Sequence, residues 1–163
     1  MLFLTGHFFH TIDAKSRVTI PAKLREVINT AEQGYGFVAV VSADGILCLY
    51  TPAAYHEIAP QFDPRSQTRA EVRDFRRLAY GLADQLEIDR LGRILIPEAT
   101  AKRCGLKRDV AIVGVQDHIE VWPRDRWEEF LDARVPQQDE LADRAMSRER
   151  EGQKPSPPAE GTA

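Results

Sequence analysis

The strongest constraint on the fold of this chain is an internal repeat. Residues 13–21 (Asp-Ala-Lys-Ser-Arg-Val-Thr-Ile-Pro) match residues 89–97 (Asp-Arg-Leu-Gly-Arg-Ile-Leu-Ile-Pro) at a constant offset of 76 residues. A second match relates residues 47–50 (Leu-Cys-Leu-Tyr) to residues 119–122 (Ile-Glu-Val-Trp) at an offset of 72. Two matches in the same order predict two copies of one supersecondary unit, each burying its apolar face against the other.

The repeated turn predicts a β-hairpin followed by a helix in each copy. Residues 6–12 and 81–88 predict strands that enter the turn, and the branched residues 17–20 and 93–96 predict strands that leave it. Gly92 suits a positive φ, which Ser16 at the matching position adopts only at a cost of about 1 kcal/mol.

A helix is predicted to begin after the proline that ends each repeated motif, because proline tolerates the first helical position. Leu24, Val27 and Ile28 form the apolar face of the first of these helices, and Gly105 ends the second.

The remaining elements follow the same duplicated order. The predicted strands are 36–42, 45–50, 109–115 and 118–122, and the predicted helices are 53–59, 69–80, 124–133 and 136–150. Thr68 and Glu71 have the spacing of a capping box for the helix 69–80, whose apolar arc is Val72, Phe75, Leu78, Ala79 and Leu82. The composition from Glu151 onward predicts a disordered tail.

Composition places the chain among small globular proteins of the cytoplasm. It has 163 residues, of which 43% are hydrophobic, and its apolar runs are too short for a membrane span or a secretory signal. Cys48 and Cys104 are expected to be small buried side chains, not a disulfide framework.

The formal net charge of −3 argues weakly against nucleic-acid binding, but the distribution of charge matters more than its sum. Residues 1–31 carry four Lys and Arg against two acidic side chains. Residues 65–77 carry five arginines against Glu71 and Asp74. This arginine-rich stretch predicts a solvated or intersubunit face, with DNA contact as the minority interpretation.

The repeated turns are the candidate DNA-binding site. If the two copies pair about a pseudo-two-fold axis, the turns place Lys15 and Arg17 near Arg90 and Arg93 on one edge. Basic tips of this kind neutralise phosphates, and a β-ribbon can enter the major groove. Asp at the head of each turn would orient the arginine. The alternative is that both Asp–Arg pairs only stabilise their turns, and the residues alone leave both interpretations open.

The two motifs, the Ile-Pro that follows each, the arginine-rich middle helix and the Ile-Glu-Val-Trp segment resemble the MraZ family of transcriptional regulators over about residues 1–135. The family motif is Asp-x-x-Gly-Arg, usually Asp-x-Lys-Gly-Arg in the first copy. Ser16 departs from that motif, and Leu91 leaves the second copy without the lysine.

The resemblance implies a mainly β, α+β fold: two tandem swapped-hairpin AbrB-like repeats forming one pseudo-two-fold barrel. The implied domains are a first repeat (1–60), a connecting basic helix (61–80), a second repeat (81–135) and a C-terminal helix with a disordered tail (136–163). The DNA-contacting residues expected from the resemblance and the turn geometry are Asp13, Lys15, Arg17, Asp89, Arg90 and Arg93.

The resemblance also implies a ring-like homo-oligomer associated with the nucleoid. It would bind double-stranded DNA at tandem promoter repeats upstream of the division and cell-wall gene cluster, usually as a repressor. No enzyme activity, cofactor, metal, membrane or small-molecule substrate is expected.

Two other functions compete with this interpretation. An AbrB-like antitoxin would use the same scaffold to bind a protein, but such proteins usually have one hairpin unit and a longer tail. A single-strand or RNA binder would need aromatic residues between the cations of the turns, which have none.

Two candidate chemical sites are weaker. A metal site at His7, His10 and Asp13 is disfavoured, because positions 7 and 10 of a strand face opposite sides. No motif places Cys104, Asp117 and His118 together as a nucleophilic set. Tyr50, Tyr55, Trp122 and Trp127 are expected in the core or an oligomer interface.

Overall fold

A computed structural model of the chain describes residues 2–59 and 69–152. The strands in these ranges are β1 (Leu4–Thr11), β2 (Arg17–Thr19), β3 (Phe37–Val41), β4 (Leu47–Tyr50), β5 (Asp84–Leu86), β6 (Arg93–Leu95), β7 (Asp109–Gln116) and β8 (His118–Pro123). The helices are α1 (Ala22–Arg25), α2 (Thr30–Gln33), α3 (Pro52–Ile58), α4 (Ala70–Gly81), α5 (Glu98–Arg103), α6 (Arg124–Arg134) and α7 (Gln138–Gly152), with a 3₁₀ helix at Val135–Gln137.

The strands form one six-stranded antiparallel sheet, in the order β1-β7-β8-β4-β3-β5, and a separate two-stranded ribbon of β2 and β6. The sheet order is symmetric with respect to the repeat, because β1, β3 and β4 of the first copy correspond to β5, β7 and β8 of the second. This arrangement confirms the predicted α+β class, and the strand pairs are antiparallel.

The strands that flank each turn do not pair with each other as in a simple hairpin; a swapped-hairpin repeat exchanges such strands with the other copy. The strand β1 pairs with β7, and β2 pairs with β6, so both partners come from the other copy. The turn itself is present, and the Asp13 amide donates to the carbonyl of Arg17 at 2.9 Å. The chain therefore passes from the sheet, through the turn, into the ribbon. There β2 forms its hydrogen bonds with β6, the strand at the matching position of the second copy.

The predicted pseudo-two-fold barrel is not confirmed, because the strands of the described residues form an open sheet with β1 and β5 at its edges. The ribbon packs against one face of this sheet: Val18 and Ile94 of the ribbon belong to the same core cluster as Leu49 and Ile119 of the sheet. Two packed layers bury the core without closure of the sheet edges.

The register places a pseudo-two-fold axis through two strand pairs. In the ribbon, Val18 pairs with Ile94, its equivalent at an offset of 76. In the centre of the sheet, Cys48 pairs with Glu120, its equivalent at an offset of 72. An antiparallel pair whose central residues are equivalents has its symmetry axis between them, so the axis of the repeat crosses both layers.

The short helices follow the proline signals only in part. The helix α1 begins after Pro21 and α5 after Pro97, as predicted. Leu24 is buried, but Val27 lies beyond the end of α1 and is exposed, so its predicted place on the apolar face is wrong. The short helix α2, whose Asn29 side chain caps it by accepting from the Ala31 amide, was not predicted.

The middle helix α4 matches the predicted span closely. Its apolar arc exists, but Phe75, Leu78 and Leu82 are exposed and no residue of the helix is fully buried. Thr68 of the predicted capping box lies outside the described residues, as does Arg65. The tail predicted from Glu151 is described only as far as Gly152, where α7 ends, and residues 153–163 lie outside the described ranges.

The chain divides into two compact units, Met1–Trp127 and Glu128–Ala163. The first unit contains all the strands given above. Among the described residues, the helices are too short or too polar to cross a bilayer.

The two turns differ in the space around their left-handed residues. Gly92 has φ +75°, and a β-carbon there would lie 2.5 Å from Cζ of Arg25, whose Nε donates to the carbonyl of Ile20 at 3.0 Å. Ser16 has φ +60°, and the residue equivalent to Arg25 beside it is Ala101, which leaves a cavity next to the serine. The second turn therefore favours glycine because a side chain there would displace Arg25, whereas the first turn has room for a side chain.

We expect Gly92→Ala to lower the free energy of unfolding by about 1–3 kcal/mol, because it adds left-handed strain and displaces the Arg25 hydrogen bond. Ser16→Gly should leave stability unchanged or raise it by up to about 1 kcal/mol, since relief of strain offsets the greater freedom of the unfolded chain. Urea denaturation of both variants measures the difference. Equal effects at the two positions would contradict this account of the turns.

Candidate nucleic-acid interface

The first repeated turn is organised by the carboxylate of Asp13. Oδ1 accepts the backbone amides of Lys15 at 2.8 Å and Arg17 at 3.0 Å. Oδ2 lies 2.9 Å from Nε and 2.8 Å from Nη2 of the Arg17 side chain. One carboxylate thus closes the turn and holds the arginine, since short polar side chains readily bond backbone groups two to four residues on.

The second turn repeats this geometry around Asp89. Oδ1 accepts the amides of Leu91 at 2.9 Å and Arg93 at 3.0 Å. Oδ2 lies 2.8 Å from Nε and 2.7 Å from Nη2 of Arg93. The two copies agree to within about 0.1 Å in every one of these distances, so the motif forms one local structure whatever occupies its variable positions.

Both carboxylates remain ionised over the physiological range. The Arg17 amide, followed by the Arg17 side chain, lowers the pKa of Asp13 from 3.8 to about 2. The Arg93 amide likewise lowers the pKa of Asp89, against a smaller opposing effect of burial. Hydrogen bonds to the charged form of a carboxylate favour that form, which keeps each arginine paired.

The ribbon places the two arginines on one face. Arg17 pairs with Leu95 and Thr19 with Arg93, so these four residues alternate with the buried pair Val18 and Ile94. Arg17 and Arg93 are therefore diagonal neighbours across the ribbon, about 7–8 Å apart at their backbones. Their side chains are 30% and 25% exposed.

The other predicted cations stand at the turns. Lys15 and Arg90 are exposed, and each lies one or two residues past the aspartate of its turn. Because β2 and β6 are antiparallel, the two turns lie at opposite ends of this three-residue ribbon. The prediction that all four cations lie near one another on one edge stays a prediction. The ribbon face joins the turns, with an arginine near each end.

The arginine-rich helix α4 presents a second cationic surface. Arg69, Arg73, Arg76 and Arg77 are exposed, and Arg77 pairs with Asp74 at 3.0 Å. The prediction that this stripe is a solvated or intersubunit face stays a prediction.

The predicted aromatic core residues divide into two groups. Trp122 and Trp127 are buried and pack edge to face at 5.3 Å, whereas Tyr50 and Tyr55 are half-buried. The indole of Trp127 donates to Nδ1 of His7 at 3.2 Å. In the described part of the chain, His7, His10 and Asp13 do not come together as metal ligands.

Sequence reasoning missed two groups of residues. Arg25 covers Gly92, and no local pattern indicates that contact. Cys48, His118 and Glu120 lie together on the sheet. The nucleophilic set weighed from the sequence contained Cys104 instead of Cys48, and Cys104 is in the core. The repeat alignment could have indicated this second group. It matches Cys48 to Glu120, and residues at matching positions pair across the pseudo-two-fold axis.

Comparisons with known proteins agree with the duplicated architecture. A family model described as "MraZ protein, putative antitoxin-like" matches twice, at residues 3–78 and 79–148. Proteins named "Transcriptional regulator MraZ" are similar over most of the chain. The Heliobacterium modesticaldum protein is 33% identical over 141 residues, which cover 86% of this chain and 95% of the relative.

Two further relatives carry the same name. The Finegoldia magna protein is 35% identical over 138 residues, covering 85% of this chain and 93% of the relative. The Moorella thermoacetica protein is 36% identical over 141 residues, covering 86% and 95%.

We expect Asp13→Asn to destabilise the protein at pH 7 and to have less effect at low pH. The pKa of Asp13 is lower in the folded state, so its stabilisation is present above about pH 4 and is lost as the pH falls towards 2. Denaturation of wild type and variant between pH 7 and pH 2.5 should show that the difference between their free energies of unfolding becomes smaller as the pH falls. Asp74→Asn, in an exposed helical pair, is the control and should change stability little. A gap that stays constant with pH would contradict this role of Asp13.

Proposed function

The chain belongs to the MraZ family, and on that premise we propose that it is a transcriptional regulator that binds double-stranded DNA through the exposed face of the β2–β6 ribbon. The observation that carries the proposal is the duplicated Asp–Arg turn, which sets two held arginines on one face of a two-stranded ribbon. A two-stranded ribbon fits the major groove of B-DNA.

The aspartates define how the arginines can contact DNA. The Nε and Nη2 groups of Arg17 and Arg93 face their aspartates, so each guanidinium meets a ligand end-on, through Nη1 and the second proton of Nη2. Such a contact suits a phosphate or the O6 and N7 atoms of guanine. Asp13 and Asp89 are positioning residues in this proposal, and Lys15 and Arg90 contact phosphates.

The ribbon also presents its two arginines symmetrically. Its pseudo-two-fold axis passes between Val18 and Ile94, so the two arginines approach the duplex in equivalent orientations. A single ribbon with four cations binds weakly at physiological salt. Several ribbons in one oligomer, each on a successive DNA repeat, gain affinity through effective concentration.

Following the resemblance, we propose a ring-like homo-oligomer that associates with the nucleoid. It binds tandem repeats upstream of the division and cell-wall gene cluster and represses transcription from that promoter. The exposed apolar side chains of Phe75 and Leu78 on α4, and of Leu82 directly after it, support association with another protein surface.

A second candidate function is protein binding of the antitoxin type. The description of the matching family includes that likeness. A groove of about 500 Å³ lies between α4 and β3, lined by Val40, Tyr55, Phe75, Leu78 and Leu82 among others. In this alternative the groove receives a protein partner and DNA binding is secondary.

Fluorescence anisotropy with the DNA upstream of the chain's own gene, across a salt series, tests the main proposal. Arg17→Ala should weaken binding by about 5- to 150-fold, the effect of losing one good arginine contact. If Arg17 contacts only a phosphate, the slope of log K against log salt should fall by about one and Arg17→Lys should restore most of the affinity. If Arg17 reads guanine, Arg17→Lys should lose preference over scrambled DNA.

Arg76→Ala is the matched control, because it removes one exposed cation from α4 and leaves the ribbon intact. Thermal denaturation of each variant separates lost contacts from a disrupted turn. Full binding by Arg17→Ala with weak binding by Arg76→Ala would move the DNA site to α4. The absence of binding to either DNA by folded wild type would reject the proposal and favour the protein-binding alternative.

A further inference from the structure

The sheet face opposite the core carries a polar cluster at its centre. On β4 and β8, Leu49 and Ile119 point into the core, so their neighbours point to the other face. These neighbours are Cys48 and Tyr50 on β4 and His118, Glu120 and Trp122 on β8. The register pairs Cys48 with Glu120 and Tyr50 with His118, which brings a thiol, an imidazole and a carboxylate together.

The ligand atoms of Cys48, His118 and Glu120 converge. One such atom from each residue lies within 4.8 Å of the other two, and Nε2 of His118 is 3.4 Å from Oε1 of Glu120. Cys48 is 4% exposed, and the side chains of His118 and Glu120 are 13% and 20% exposed. The cluster is thus enclosed on the thiol side and reachable from solvent on the carboxylate side.

The surrounding groups orient two of the three residues. Oδ1 of Asp117 lies 2.7 Å from Nδ1 of His118, which directs Nε2 towards the cluster. The indole of Trp122 donates to Oε2 of Glu120 at 2.8 Å, which leaves Oε1 directed towards Nε2. The ring of Tyr50 stacks on His118 with centroids 4.6 Å apart. A carboxylate behind a ligating histidine is the usual outer arrangement of a metal site.

We propose that Cys48, His118 and Glu120 form a binding site for Zn²⁺, with a fourth position open to water. A thiolate, an imidazole and a carboxylate are the three side-chain ligand types of zinc, whereas Mg²⁺ and Ca²⁺ take oxygen ligands. Tetrahedral zinc with bonds of about 2.0–2.3 Å separates its ligand atoms by about 3.4–3.6 Å. Nε2 of His118 and Oε1 of Glu120 already have this separation, at 3.4 Å, and the Cys48 thiol lies within 4.8 Å of both residues' ligand atoms.

Zinc at this position would join the two repeats. Cys48 belongs to the first copy and His118 and Glu120 to the second, and the pseudo-two-fold axis passes between Cys48 and Glu120. On binding, zinc displaces the proton of the Cys48 thiol and any second proton on the His118 imidazole, and both leave to solvent. The metal stabilises the folded chain by mass action, because the unfolded chain does not hold these ligands together.

The competing account is a hydrogen-bonded cluster that holds a proton where zinc would bind. Burial lowers the pKa of His118, but hydrogen bonds to Cys48, Glu120 and Asp117 outweigh that effect and raise the pKa to about 10. An imidazolium between these partners needs no metal. A direct measurement of metal binding distinguishes the two accounts.

Co²⁺ titration of the full chain tests the proposal, with the chain reduced, freed of metal by a chelator and free of any affinity tag. We expect one Co²⁺ per chain, a thiolate-to-cobalt charge-transfer band, and loss of that band on addition of Zn²⁺. Cys48→Ser should abolish the band, and Cys104→Ser, which alters the other buried cysteine, should retain it. His118→Gln should weaken binding by more than 100-fold, whereas His56→Gln, at an exposed histidine, should not.

Asp117→Asn keeps all three ligands and tests the outer arrangement, so it is informative even if a ligand variant fails to fold. We expect about 10- to 100-fold weaker binding with an unchanged band. Circular dichroism checks folding of each variant, and zinc should raise the Tm of wild type but not of Cys48→Ser. No charge-transfer band in wild type, or a band that survives Cys48→Ser, would overturn the proposal and leave the proton-bound cluster.

Discussion

The pairing of equivalent strands across the pseudo-two-fold axis is the constraint on which the rest of the structure depends. In the ribbon Val18 meets Ile94, and in the sheet Cys48 meets Glu120, so each copy completes its ladders with the other. The outer pairs follow the same exchange, because β1 of the first copy pairs with β7 of the second and β5 pairs with β3. One copy alone would leave all four of its strands without their cross-copy partners. Only β3 and β4 would still pair with each other, and an isolated two-stranded piece is marginal in water.

The exchange decides where the charged turns lie. A turn closed by Asp13 or Asp89 is rigid by itself, because the carboxylate holds two backbone amides and the arginine side chain. The ribbon is what brings the two motifs together on one surface. Its register places Arg17 and Arg93 diagonally on the face opposite Val18 and Ile94. The proposed DNA contact therefore belongs to the pair of repeats and to neither repeat alone.

The same axis gives the two copies unequal chemistry at matching positions. Gly92 lies under Arg25, while Ser16 lies near Ala101, the equivalent of that arginine. Cys48 and Glu120 are equivalents that have diverged into two different donor types, and His118 completes a set that a symmetric pair could not form. Residue differences between the two copies at matching positions thus account both for the different surroundings of the two turns and for the proposed zinc site.

The sequence by itself determined the local structures: the Asp–Arg turns, the helices that begin after Pro21 and Pro97, and the duplicated order of elements. These structures depend on hydrogen bonds and backbone preferences within about five residues. Such local preferences can be inferred directly from the residue types. Only the tertiary structure decided the strand partners, the open two-layer arrangement, the cover of Gly92 by Arg25 and the meeting of Cys48 with His118. Those contacts join residues far apart in the chain, such as Ala39 with Asp84 and Leu4 with Gln116, and their register is set by which faces of both copies can be buried together.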